Sequence, residues 1–283
     1  MSQNHLTIDF PIKGPANAKA LTEELPSLMP DFARTQDQLG TVHFSRFMVR
    51  GDETLLFLSD VDGEIETHLT RLVENASPVL DAIFKHVEDA PAIPVADNPQ
   101  RVITWLKSHV RKPLDTYCAY EASVQDIKAC ARAAGFTGKT LQSPLLIIMS
   151  FKSRLRAFAL KLVGEALFHE KGKKALNAVG TVHFSDWVPF DNDHMGFFTV
   201  YDGDFKPYVQ DFADKSTVVF DTVFPHVVGA PPISVAKNPQ PFYQWALKEN
   251  NPAIGFYSAY PGLSVQDVKA LLADRKPQSA TAR

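Results

Sequence analysis

Two pairs of histidines are the first residues in this chain that could do chemistry. His43 and His183 each sit in the stretch TVHFS, and His86 and His226 each precede an Ala-Pro, at 90–91 and 230–231. Imidazole changes charge near neutral pH, so either pair could move protons or ligate a cofactor. Asp62 and Asp202, each followed by glycine, recur in the same way. A carboxylate there could assist bond cleavage, or it could cap backbone N–H groups where the next helix starts. Each histidine pair also has a structural alternative. A mid-strand histidine can be half-buried and bonded to a nearby carbonyl. A histidine at a helix end can bond the last carbonyls and favour the dipole.

Residues without a counterpart matter for a different reason, because a single site needs asymmetry. His169, in LFHEKG, reads as a surface residue, and His194 lies in the turn DNDHMG with Asp191 and Asp193. That turn could hold a cation, although a solvated hairpin explains its composition equally well. Arg46 corresponds to Asp186 and could steady a peroxide or a carboxylate. It is opposite in strand parity to His43, so the two share the barrel interior only if a bulge intervenes. Tyr117, Tyr120, Tyr257 and Tyr260 could line a pocket or simply fill core.

The elements that position these residues come in two copies. A shift of 140 positions superposes residues 39–122 on 179–262 without a gap. Asn98–Pro99–Gln100 falls on Asn238–Pro239–Gln240, and Trp105 falls on Trp245. A period this long means a duplicated domain rather than a solenoid. The boundary falls near Gly138–Lys139, which divides the chain into 1–138, 139–274 and a tail, 275–283, expected to be mobile.

Within each copy, alternating aromatic and β-branched residues predict strands at Thr41–Val49, Leu55–Val61, Leu145–Phe151, Thr181–Val188 and Phe197–Tyr201. Helical spacing predicts Ala16–Leu25, stopped or kinked by Pro26 and Pro30, and Arg154–Ala175. Each copy therefore reads β–α–β–β–α–(α)–β, a ferredoxin-like order with one helix-covered face. The uncovered face needs a partner, and the other copy is the simplest one. The expected fold is α+β, two ferredoxin-like repeats packed sheet to sheet as an intrachain barrel.

Composition removes several function classes. A net charge of −3 gives no electrostatic reason to expect nucleic acid or anionic lipid. No apolar run approaches the roughly 18 to 20 residues that cross a bilayer, and the start lacks a secretory pattern. Cys118 and Cys130 have no metal-type spacing and read as free thiols, which points to the cytoplasm. No phosphate-cradling glycine loop, nucleophile elbow, HExxH or CxxC occurs.

The duplicated pattern resembles the dimeric α+β barrel superfamily in its fused form. Dye-decolourising peroxidases and chlorite dismutase-like proteins are built that way. Val61–Gly63 and Tyr201–Gly203 are similar to the peroxidases' GxxDG signature, with Ser59 and Thr199 where its glycine stands. The pattern VHF…DG…SAYPGLSVQD also looks like a bacterial family of duplicated barrels. The peroxidase resemblance implies haem in the second half with His226 as axial ligand, Asp202 as distal acid and Arg46 as polar assistant, and His183 stands beside them as the acid/base candidate. Two functions are thus expected in parallel. One is a haem-dependent, peroxidase-like small-molecule oxidoreductase. The other is a cofactor-free or non-catalytic ligand-binding protein whose histidines and aspartates are structural. Either would take a small-molecule ligand, and either could be a homo-oligomer.

Overall fold

The computed structural model describes residues 2–190 and 193–274. The tail 275–283 and Asp191 of the DNDHMG turn lie outside them. The first half runs β1 (Gln3–Pro11), α1 (Pro15–Leu39), β2 (Val42–Arg50), β3 (Thr54–Asp62), α2 (Ile65–Asn75), α3 (Ser77–Phe84), α4 (Pro99–Ser108), β4 (Val110–Arg111), β5 (Asp115–Cys118) and α5 (Val124–Ala133). The second runs β6 (Gln142–Ser150), α6 (Arg154–Ala166), α7 (Lys173–Val179), β7 (Val182–Pro189), β8 (His194–Asp202), α8 (Phe205–Lys215), α9 (Thr217–Val223), α10 (Pro239–Glu249), β9 (Ile254–Ser258) and α11 (Val265–Ala273).

These elements form two antiparallel sheets, each with helices on one face. Their order departs from the expected one-sheet-per-repeat plan. The first sheet is β4-β1-β3-β2-β9 and the second is β5-β7-β8-β6. The last strand of each half has crossed to the other half's sheet: β9 pairs with β2, and β5 pairs with β7. Strand pattern cannot reveal this, because an edge strand has the same alternation whichever edge receives it. The exchange adds backbone hydrogen bonds to the packing that joins the halves.

The faces without helices meet each other. Met48, Leu56 and Leu58 of the first sheet pack with Leu146, Val188, Phe190 and Phe198 of the second. Phe44 and Phe184 meet edge to face at 5.8 Å across the same interface. The helix-covered faces are filled by aliphatic and aromatic side chains. Among the described residues, no helix is long and apolar enough to cross a membrane.

Two local departures have physical causes. Helix α1 continues through Pro26 and Pro30 instead of stopping there. Its buried residues Leu21, Leu25 and Phe32 lie on one stripe, so packing offsets the ~3 kcal/mol cost of an internal proline. The corresponding stretch of the second half contains a π-helical turn, Leu167–Gly172, between α6 and α7. A single inserted residue is the usual origin of such a turn. Here Gln3 and Gln142 hold matching register places, opposite Asp62 and Asp202, whereas beyond the turn the repeat runs one residue further apart.

Candidate functional site

His43 and His183 are completely buried, and their partners are side chains rather than carbonyls. A bulge brings them there. Strand register shifts between Val42 and Phe44, and again between Val182 and Phe184. The shift turns each histidine toward the sheet interface that its strand parity would deny it, so that the His43 ring lies 5.1 Å from Phe184 and the His183 ring 5.2 Å from Phe44. With the bulge in place, His43 and Arg46 both face the interface.

The two histidines are linked through a chain of hydroxyls. Asp62 Oδ1 lies 3.0 Å from His43 Nε2, and His43 Nδ1 lies 2.8 Å from the Tyr260 hydroxyl. Tyr260 meets the Tyr120 hydroxyl at 2.8 Å. Tyr120 lies 2.7 Å from His183 Nδ1, and His183 Nε2 lies 2.7 Å from Asp202 Oδ1. The second carboxylate oxygens accept from backbone N–H groups: Asp62 from Val124 and Asp202 from Val265. Both aspartates do cap helices, but the helices are α5 and α11, after the last strand of each half. The helices that directly follow the Asp-Gly pairs have no side-chain cap.

Hydrogen counting limits what this chain can be. Five contacts join six side chains. Two neutral imidazoles and two phenols supply four hydrogens, with both aspartates ionised. The Tyr120 and Tyr260 protons stay in place, since burial raises both phenols well above the usual tyrosine range. One contact therefore lacks a hydrogen unless the chain takes up a further proton. The chain can pass a proton between the halves, but its hydroxyls are spent on one another. Gln3 Nε2 closes the first end, 3.3 Å from His43 Nε2 while donating to the Ala122 carbonyl at 2.7 Å.

A second interior cluster breaks the pseudo-symmetry. Arg46 donates to Asp60 Oδ2 at 2.8 Å. His5 Nδ1 lies 2.9 Å from Asp60 and 2.8 Å from Asp186, and His5 Nε2 lies 2.8 Å from Thr7 Oγ1. All four charged groups are fully buried. Against the desolvation that opposes it, the two carboxylates lift the His5 imidazole to about 9. Arg46 and His5 hold the Asp60 carboxyl below its usual range, although burial opposes this. Burial pushes the Asp186 carboxyl up. His5, Asp60 and Asp186 are near enough to one another to hold a metal ion. The protonated imidazole and Arg46 already supply two positive charges to the two carboxylates, so a divalent ion would leave an excess positive charge buried beside Arg46.

The residues expected to act together are thus divided. His183 and Asp202 are in contact within the hydroxyl chain. Arg46 belongs to the other cluster and is bonded to Asp60. His226 joins neither, and its Nδ1 is buried without a partner among the described residues. His86, its counterpart, bonds Asn17 and Glu24 of α1 instead of capping a helix end. The surroundings of His226 do not fit a haem. Phe224, just before it, packs on Trp245 at 4.8 Å and Phe220 at 5.2 Å, and Phe168 stacks on Trp187 at 4.2 Å in the same helix–sheet layer. Rings packed this closely leave little room in that layer for a flat macrocycle. His169 is exposed beside Asp115, and His194 lies 2.8 Å from Asp193. Both cysteines are free and partly buried.

Sequence reasoning undervalued Tyr120 and Tyr260, although their repetition at the 140-residue period was visible. It missed His5 and Asp60 entirely. His5 precedes the repeat and falls at the register place of Pro144, and Asp60 corresponds to Val200, so no repetition marks either residue.

One face of Tyr260 belongs to a surface groove of about 800 Å³. Its walls are α5, with Lys128, Ala131 and Arg132, the inter-repeat segment around Phe136, and the loop Ala259–Leu263 after β9. Asp37 of α1 completes the rim, paired with Lys128 at 3.0 Å and accepting from the Tyr257 hydroxyl at 2.9 Å.

The sequence matches no family model and no curated protein. Solved structures of similar outline cover nearly the whole chain. A Fusobacterium nucleatum protein put forward as a monooxygenase has 9% identity and a TM-score of 0.45, over 93% of this chain and 96% of its own. A Lactobacillus acidophilus protein put forward for the same activity has 7% identity and a TM-score of 0.41, over 93% and 99%. An anthrone oxidase-like protein has 11% identity and a TM-score of 0.29, over 92% and 95%. At such identities and scores, the likeness assigns neither chemistry nor residue roles. On its own coordinates, the chain is a mixed α+β protein of two antiparallel sheets packed face to face.

Proposed function

We propose that this protein binds a small amphipathic anion in the groove between α5, the inter-repeat segment and the loop after β9, without a haem. The observation that carries this reading is the groove itself: about 800 Å³, with apolar walls and with Lys128 and Arg132 beside Asp37 at its rim. That volume lies within the range of small-molecule sites. Phe136, Ala259, Pro261 and Leu263 would cover an apolar body. Asp37 offsets Lys128, which leaves Arg132 as the surplus positive charge. Its planar fork suits a carboxylate, and among the described residues its Nε is engaged only by a long bond to the Lys128 carbonyl, 3.4 Å. The interior supports the same reading, since both clusters between the sheets are enclosed.

Titration with a fluorescent aromatic carboxylate tests the proposal. Arg132→Ala should weaken binding by about tenfold, the worth of one charge-assisted hydrogen bond, and added salt should weaken the wild type in the same direction. Equal affinity in wild type and Arg132→Ala would remove the groove as the binding site.

A further inference from the structure

The helix–sheet layer of the first half contains a group of polar side chains that the hydroxyl chain and the groove do not use. Gln36 on α1, Ser45 on β2 and Ser59 on β3 are fully buried, and His68 on α2 is 3% exposed. Gln36 Nε2 and Oε1, both serine hydroxyls and both His68 ring nitrogens have no hydrogen-bond partner among the described residues. Leaving one such atom unpaired costs about 1–3 kcal/mol, and native interiors seldom leave more than isolated cases.

Their placement brings them together. Ser45 and Ser59 face each other across the β2–β3 ladder, next to the pair Phe47 and Phe57. Phe32 of α1 packs on those two rings at 5.3 and 5.6 Å. Helix α1 turns straight into β2 through Gly40, so its C-terminal direction follows the ladder from the Phe pair toward the Ser pair. Gln36, one turn after Phe32 on the same stripe, therefore comes to the serines. The second half shows where the α2 side chain reaches. There Thr199 and Tyr208 stand in the places of Ser59 and His68, and their hydroxyls meet at 2.7 Å. Leu176 stands in the place of Gln36, each bonded through its carbonyl to the glycine that ends its helix.

We propose that Gln36, Ser45, Ser59 and His68 form a buried binding site for a small neutral molecule with both a donor and an acceptor, of the amide or alcohol class. The cluster carries no formal charge. Burial, with Arg71 adding to it, holds the His68 imidazole down at about 4, so the ring is neutral at physiological pH. An ion would enter without a counter-charge and lose its hydration, whereas a neutral amide or alcohol meets donors and acceptors in similar number. The site is independent of the groove and does not rest on its ligand.

Acetamide and acetate, equal in shape and different in charge, separate the outcomes. His68 ring resonances should shift saturably with acetamide and stay still with acetate at pH 7. Gln36→Leu, which writes in the second half's residue, should weaken the acetamide response by about tenfold, the effect of one lost hydrogen bond. Ser59→Ala provides a second variant that removes only one hydroxyl, should Gln36→Leu not fold. A ring indifferent to acetamide, or an identical response in wild type and both variants, would overturn the proposal.

Discussion

The two halves have the same succession of elements and solve the same packing problem with different chemistry. In the second half the layer between helices and sheet is closed by rings. Tyr208 stacks on Tyr201 at 3.7 Å and spends its hydroxyl on Thr199, while Phe168 lies flat on Trp187. In the first half the equivalent layer is aliphatic where it touches Leu69 and Leu72, and it leaves six side-chain polar atoms of Gln36, Ser45, Ser59 and His68 unpaired, against the Ser185 hydroxyl alone at the four matching positions of the second half. The interface between the halves shows a similar contrast. The hydroxyl chain is symmetric, Asp–His–Tyr to Tyr–His–Asp, whereas Arg46 and Asp186, at equivalent positions, carry opposite charges. Duplication preserved what ties the sheets together. Divergence appears where one copy could change without the other.

The strongest test of that contrast is Arg46→Leu. It leaves Asp60 and Asp186 buried with only His5 to balance them, so stability should fall by about 3–5 kcal/mol in urea unfolding. A loss below about 1 kcal/mol would show that the cluster is not paired as described. Next comes a matched pair of substitutions, one in each half. Thr199→Ala strands the Tyr208 hydroxyl and should cost about 1–3 kcal/mol, whereas Ser59→Ala removes an atom already without a partner and should be near neutral. Equal costs would erase the difference between the layers.

The smallest effect is a pH dependence confined to the first half. The unfolded His68 ring binds a proton near 6.5 and the folded one near 4, so between those values the unfolded chain holds more protons. Stability contributed by the neutral ring is present above about pH 6.5 and lost as the pH falls toward 4, by roughly 1–3 kcal/mol. His68→Tyr should remove that part of the profile. An unchanged slope in the variant would assign the acid sensitivity elsewhere, with Asp60 the next candidate.

Much of this architecture could be read before any coordinates. The repeated TVHFS, the Asp-Gly pairs and the Tyr-bearing last strands marked a duplicated module. The exposed face of each predicted sheet required a second sheet to cover it. The site was far less legible. His183 and Asp202, both singled out, are in contact with each other, yet their neighbours Tyr120 and Tyr260 read as core aromatics. Arg46 was assigned to a site it does not share, because the sequence showed no residue that would claim it. Asp60 and His5 carry no repetition, and charge alone does not distinguish a buried residue from a solvated one.

The sequence by itself determined the duplication, the α+β class and which residues recur, because periodicity and repetition are properties of the chain. Tertiary structure alone decided that the last strands change sheets, that bulges turn His43 and His183 inward, and that the polar atoms of Gln36, Ser45, Ser59 and His68 are buried without a protein partner among the described residues. Those outcomes depend on contacts between residues tens to hundreds of positions apart, and local pattern carries no information about which distant surface a side chain will meet.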